Sequence, residues 1–237
     1  MAQHGWARPG HDRSTYERLG VMEQTINMEQ VVLGTLVLKF SLPMMVVDQM
    51  NEICDTAKDR PFNDSLAGKI ENEYGITHLL SDQHKEMFLQ MFNEYVKRRR
   101  PERNAWTCYL DDVWYNDMVA GEYNPPHFHQ TNTSDFGLSS VLMLKRPSTY
   151  GREFSKEEEP KNGYLNFISG TQDPLASSMY QVDAQVGDFF IFPYTLLHSV
   201  NPFNGTDEVR RTLSYNCNLY RKPIFDLVMN DKAEKEN

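Results

Sequence analysis

From Trp106 onward the apolar and polar positions alternate in short runs. WTCYLDDVWYN, GLSSVLMLK, NGYLNFIS, SMYQVDAQ, GDFFIFP and RRTLSYNCNLY are each bounded by turn-forming residues. A period of two over such lengths predicts strands. No helical pattern separates the runs, so they point to antiparallel sheets closed into a sandwich or jelly roll. The earlier part of the chain has a different rhythm. Val47, Met50, Ile53, Cys54 and Ala57 fall on one helix face after Pro43, which predicts a helix over roughly 44 to 59. Phe88, Met91, Phe92, Tyr95 and Val96 make a second stripe, with Ser81 or Asp82 as its cap and Lys97 to Arg100 as its end before Pro101. Both helices are expected on the outside of one sheet, and VVLGTLVLKFSLP before them reads as β-rich. The predicted fold is therefore mainly β with flanking helices, a double-stranded β-helix of the jelly-roll, cupin-like kind.

The expected organisation is a polar N-terminal arm over 1–30, a β and helical support region over 31–105, the β-helix core over 106–222, and a tail over 223–237. A chain of 237 residues with a formal net charge of -9 does not suit nucleic acid or an anionic membrane as its main partner. Neither a secretory core nor a spanning run is visible, so the expectation is a cytoplasmic protein. Cys54, Cys108 and Cys217 are odd in number and far apart, which suggests buried free thiols rather than a disulfide framework. The basic run at Lys97 to Arg100 suits the negative end of a helix dipole better than a nucleic-acid patch. Glu157 to Glu159 reads as a solvated loop.

Three features of the β-region bear chemistry. In EYNPPHFHQTN, His127 and His129 are two apart, and on an extended chain both point to one face while Phe128 turns away. Two imidazoles aimed at one point suit a metal, although histidine pairs are also common in turns. In GDFFIFPYTLLHSVNP, His198 stands among apolar neighbours. Alone it reads as a core histidine bonded to a carbonyl; with the first pair it makes a three-ligand set that leaves coordination positions open. In DEVRRTLSYN, strand alternation puts Arg210, Thr212, Ser214 and Asn216 on one side, and Arg211, Leu213, Tyr215 and Cys217 on the other. The first set is polar, so Arg210 joins a polar cavity wall, where its guanidinium offers two parallel donors to a carboxylate. Arg211 takes that place only if the strand phase is shifted.

This ordered set, HxH after a Gly/Pro turn, then GDxxxFPxxxxH, then Arg before a Thr/Ser-containing strand, resembles the iron(II)- and 2-oxoglutarate-dependent oxygenases. The likeness is greatest to small prolyl-hydroxylase-like members from bacteria and phages, and it covers Trp106 to Tyr220. It implies a jelly-roll core, Fe(II), 2-oxoglutarate as cosubstrate and O2. It also implies His127 and His198 as iron ligands, and Arg210 with Thr212 holding the remote carboxylate of 2-oxoglutarate. The activity implied is hydroxylation of a peptidyl, prolyl or small-molecule substrate with release of succinate and CO2. One position departs from the family, because the carboxylate expected two residues after the first ligand is His129. Either His129 ligates, or Asp135 reaches in from the next loop, or solvent or an anion fills the position. Strand period fixes the direction of His129, which favours it. The segment Val141 to Leu144 also lacks the tyrosine such hydroxylases often place against the cosubstrate, and Asn116, inward if it shares a face with Trp114, is a candidate replacement.

Two other classes fit part of the pattern. Gly121 followed by HxH, and Gly187 followed by Pro193 and His198, match a metal-dependent cupin, a dioxygenase or isomerase that does not use 2-oxoglutarate. Such a protein leaves Arg210 without a role. A non-catalytic jelly roll binding sugar or protein leaves the whole ordered set unexplained.

Overall fold

The structure is a computed structural model that describes residues 19–21, 24–33, 35–62, 67–99, 106–130, 136–152, 160–170 and 177–221. Its strands in chain order are β1 (Leu19–Val21), β2 (Gln24–Leu33), β3 (Thr35–Ser41), β4 (Asn72–Gly75), β5 (Trp106–Met118), β6 (Asn124–His127), β7 (Gly137–Lys145), β8 (Leu165–Ile168), β9 (Met179–Val182), β10 (Asp188–Pro193), β11 (Leu197–Val200) and β12 (Arg210–Arg221). Two helices, α1 (Met44–Thr56) and α2 (Asp82–Arg99), lie between β3 and β5. All the pairings are antiparallel. They form an eight-stranded sheet in the order β1-β2-β3-β10-β7-β12-β5-β4 and a four-stranded sheet in the order β6-β11-β8-β9.

The predicted strand runs all appear, and they give the mainly β, jelly-roll fold expected. Two boundaries differ. Pairing reaches back to Leu19, so the second half of the expected 1–30 arm carries β1 and most of β2, whose backbone registers with β3 from Asn27↔Ser41 to Leu33↔Thr35. The polar composition hid it because a strand at a sheet margin needs little apolar side chain to hydrogen-bond its backbone. Helix α1 stops at Thr56, short of the expected 59, where the Ala57 N–H turns back to the Cys54 carbonyl at 3.3 Å. Helix α2 starts as predicted, with the Ser81 Oγ accepting the His84 N–H at 3.2 Å. Its last turn holds Lys97, Arg98 and Arg99, and Glu94 pairs with Lys97 and Arg98. The acidic run at 157–159 and the tail over 223–237 lie outside the described residues. Among the described residues no helix is long and apolar enough to cross a membrane.

The large sheet separates two cores. On its outer face Leu38, Phe40, Leu142, Phe189, Ile191, Leu213 and Tyr215 meet Val47, Met50 and Cys54 of α1 and Phe88, Met91, Phe92 and Tyr95 of α2. The rings of Phe88 and Tyr215 lie 3.9 Å apart. Each of these large apolar side chains contributes about 1.5–3 kcal/mol by leaving water. The Tyr95 hydroxyl donates to the Leu36 carbonyl and the Tyr115 hydroxyl to the Ala57 carbonyl, each at 2.8 Å, so both helices are pinned to the sheet by buried polar contacts. On the inner face Val37, Met143, Phe190 and Phe192 pack on Leu165 and Phe167 of the small sheet. At the β5 and β12 end this inner packing stops, and a polar cavity begins.

Gly187 sets the approach to β10. Its φ is +91°, its N–H bonds the Met143 carbonyl, and a side chain here would sit 2.9 Å from the Leu42 carbonyl oxygen. Asp188 then accepts the Gln185 N–H at 2.8 Å and pairs with Lys39. The Gly-Asp pair read from the sequence is a turn with a mechanism.

Candidate metal centre

Strand β6 ends the small sheet and pairs with β11, and that register places His127 directly across from His198. Pro125 and Pro126 occupy β6 with no N–H to offer, which the sheet margin tolerates. His129 lies beyond the strand and is held by its backbone N–H, which donates to the Tyr194 carbonyl at 2.8 Å. Phe128 between the two points outward and is exposed, as the alternation predicted. His127, His129 and His198 each offer a ligand nitrogen, and these atoms all lie within 4.8 Å of one another.

The local bonding prepares these rings. Nδ1 of His127 lies 2.7 Å from the Pro125 carbonyl and Nδ1 of His198 lies 2.9 Å from the Leu196 carbonyl, so both Nδ1 atoms carry the proton and both Nε2 lone pairs are free. Nε2 of His129 faces Nε2 of His198 at 3.2 Å. Burial lowers the pKa of all three. His129 falls to about 3, with the neighbouring His127 adding to the effect, while His198 falls well below the ordinary value, helped by both neighbours. Neutral imidazoles with converging lone pairs are the form a transition metal binds. The ring of His198 is braced by Phe192 at 4.7 Å and that of His129 by Trp114 at 6.0 Å. The donor set thus fits a divalent metal. Asp135, the alternative third ligand, lies outside the described residues.

The cavity beside the histidines is lined by Trp114 and Asn116 of β5, Asn124 of β6, Leu165, Val200, and Thr212 and Ser214 of β12. Asn116 therefore does share the inner face with Trp114. Across three strands Glu73, Asn116 and Thr212 stand in register. Arg210 continues the Thr212 row and is buried on this side, with its Nε donating to the Gly163 carbonyl at 3.2 Å. Among the described residues its buried Nη2 and the buried Tyr150 hydroxyl have no well-aligned hydrogen-bond partner, and the two groups interact with each other. Burial lowers the Arg210 pKa, and Tyr150 beside it acts the other way. Asp183 acts on it from a distance, but no salt bridge to it forms among the described residues, and a fully buried guanidinium without a bound carboxylate is costly.

Arg211 does not share that wall. It lies on the opposite face of β12, where Nε and Nη2 grip Asp117 at 2.6 and 2.7 Å and Nη1 reaches Asp55 of α1 at 2.6 Å. Burial alone would lower its pKa, but Asp117 and Asp55 outweigh burial and raise it. The strand phase is the one that puts Arg210 inward, and the alternative role for Arg211 has no geometric basis. Glu73 and Tyr150 carried no sequence signal: the first sits in a four-residue strand, the second in a turn after β7.

Among the described residues two antiparallel sheets of jelly-roll kind carry three convergent histidines that could hold a metal ion. Residues 112–216 match the family model described as "Putative 2OG-Fe(II) oxygenase". That match spans less than half of the chain, and over it the sequence is similar to the 2OG-Fe(II) oxygenases. Among solved structures, a prolyl-4-hydroxylase from Pseudomonas putida is similar at 12% identity and a TM-score of 0.51, over 79% of this chain and 94% of that one. HygX from Streptomyces hygroscopicus, solved with nickel, 2-oxoglutarate and hygromycin B bound, is similar at 10% identity and a TM-score of 0.53, over 78% of this chain and 83% of that one. At such identity these likenesses speak for the fold. No curated protein matches the sequence.

Proposed function

We propose that the protein hydroxylates a C–H bond of a prime substrate, using iron(II) held by His127, His129 and His198 and 2-oxoglutarate anchored through its remote carboxylate by Arg210 with Thr212. The observation that carries this reading is the convergence of three imidazole nitrogens, with the fully buried Arg210 two residues from the cavity-lining Thr212 on the same strand and in no salt bridge among the described residues. Tyr150 supports the anchor, since its buried hydroxyl stands beside Arg210 and has a proton to donate to the same anion. Bound iron(II) with 2-oxoglutarate supplies dioxygen activation, coupled to conversion of the cosubstrate to succinate and CO2. The chain's own part is to present three unprotonated nitrogens, to neutralise the far end of the cosubstrate, and to keep the cavity floor dry with Phe192, Leu165 and Val200. A peptidyl prolyl residue is the first substrate class to test.

The direct test is succinate formation by anaerobically iron-loaded protein after addition of 2-oxoglutarate and air, with and without proline-containing peptides. No succinate under any condition rejects the reading. The all-imidazole set also suits a metal-dependent cupin that ignores 2-oxoglutarate, and the same assay separates the two.

A further inference from the structure

Among the described residues, buried polar atoms without a well-aligned hydrogen-bond partner fall into groups that divide by sign. At Arg210 they are groups with a proton to donate, Nη2 of Arg210 and the hydroxyl of Tyr150. At the side built from β4, β5 and β6 they are acceptors, Oε2 of Glu73 and Oδ1 of Asn124. Asn116 stands between Glu73 and the cavity. With its amide nitrogen facing Glu73, it donates to Glu73 Oε1 at 3.1 Å and to the Tyr115 carbonyl at 3.2 Å; the reverse orientation would set oxygen against oxygen at both contacts. Both N–H groups are thereby consumed, so the Asn116 carbonyl oxygen is the atom left for the cavity.

Glu73 itself needs explaining. It is wholly buried, and no ion pair to it forms among the described residues. Burial, with Glu122 adding to it, pushes its carboxyl up to about 7. The β4 and β5 backbones already pair from Asn72↔Asp117 to Gly75↔Trp114, so the strand does not need this side chain to stay in place. What the carboxyl does is fix which end of the Asn116 amide faces inward.

We propose that Asn116 Oδ1 and Asn124 Oδ1 accept a hydrogen bond from an N–H or O–H donor on the prime substrate, with Glu73 as the positioning residue that holds the Asn116 amide carbonyl-inward. This rests on the oxygenase reading above. It also assigns Asn116 differently from the sequence expectation, which made it a cosubstrate contact: a carboxylate brings no donor for a carbonyl oxygen, so 2-oxoglutarate belongs at the donor end and the prime substrate at the acceptor end.

The probes are N-acetylprolinamide, whose primary amide carries two N–H donors, and its N,N-dimethylamide, which carries none there. Each is titrated into protein holding Fe(II) and 2-oxoglutarate without oxygen, following the visible charge-transfer band. The native protein should bind the primary amide at least tenfold more tightly. Glu73→Ala and Asn116→Leu should bring the two probes within about twofold. Glu73→Gln keeps an acceptor for the Asn116 N–H and should keep the preference. Equal response to both probes in the native protein overturns the inference, as does retention in Glu73→Ala or loss in Glu73→Gln. If Glu73→Ala does not fold, Glu73→Gln and Asn116→Leu decide the matter. A native protein that shows no charge-transfer band with 2-oxoglutarate fails the oxygenase reading itself, a result seen before either probe is added.

Discussion

Arg210 and Arg211 are neighbours in the chain and face opposite sides of the large sheet. One is buried beside Tyr150 with its Nε on the Gly163 carbonyl, and the other is clamped by Asp117 and Asp55 beside α1. Identical charges on adjacent residues thus have unrelated work.

Arg210→Ala is expected to leave metal binding intact and to raise the KM for 2-oxoglutarate by about 10–100-fold, the loss of charge-assisted hydrogen bonds worth roughly 1.5–3 kcal/mol. Tyr150→Phe should raise it less, since a neutral donor is removed and the ring still packs on Phe203. Succinate formation at varied 2-oxoglutarate, beside Fe(II) titrations, checks both.

Arg211→Ala should act on stability instead. Removing one member of a buried ion pair leaves Asp117 facing a void of charge, at a cost of about 3–5 kcal/mol. Denaturant unfolding measures this, and turnover per folded molecule should stay near that of the parent. A tenfold rise in the 2-oxoglutarate KM without loss of stability would contradict the strand phase.

His198→Ala is expected to abolish tight Fe(II) or Co(II) binding, because two imidazoles remain and the register partner of His127 is gone. His129→Asp should retain metal, a carboxylate being an equally good iron ligand, whereas His129→Ala should weaken it. Equal metal affinity in His129→Ala and the parent would exclude His129 as a ligand.

Glu73 gives a pH signature. Its folded pKa of about 7 lies above its ordinary 4.5, so the native state binds the proton more tightly than the unfolded chain. Its contribution is fully present below about pH 4.5 and is lost as pH rises through about 7, amounting to about 3 kcal/mol. Glu73→Gln should therefore be near neutral in stability at pH 4.5 and should gain on the parent up to pH 8, as thermal melts across that range would show.

The strands and helices were legible because period decides them: the Phe88 to Tyr95 stripe and the alternation from Arg210 to Cys217 each have one burial pattern available. The approach of His127 to His198 was legible because order along a β-helix fixes it, and the burial of Arg210 because strand alternation does. Glu73 was not, since its importance comes from the register Glu73↔Asn116 between strands distant in the chain, which no local pattern encodes. Tyr150 escaped for a related reason: its hydroxyl meets Arg210 through a turn whose path depends on Gly163 and Phe203. The strand content before residue 31 was missed because backbone pairing with β3 needs no apolar run.

The family match opens inside β5 and closes inside β12. Those two strands are bonded to each other, and β10 within the match takes its other neighbour, β3, from outside it. A fragment cut at 112 and 216 would carry two severed strands, a bare β10 margin and an outer face stripped of α1 and α2, open to pairing with other copies of itself. Recombinant dissection of this protein should therefore keep the support region attached, because the stretch that matches the family model is smaller than the set of strands and helices packed on one another.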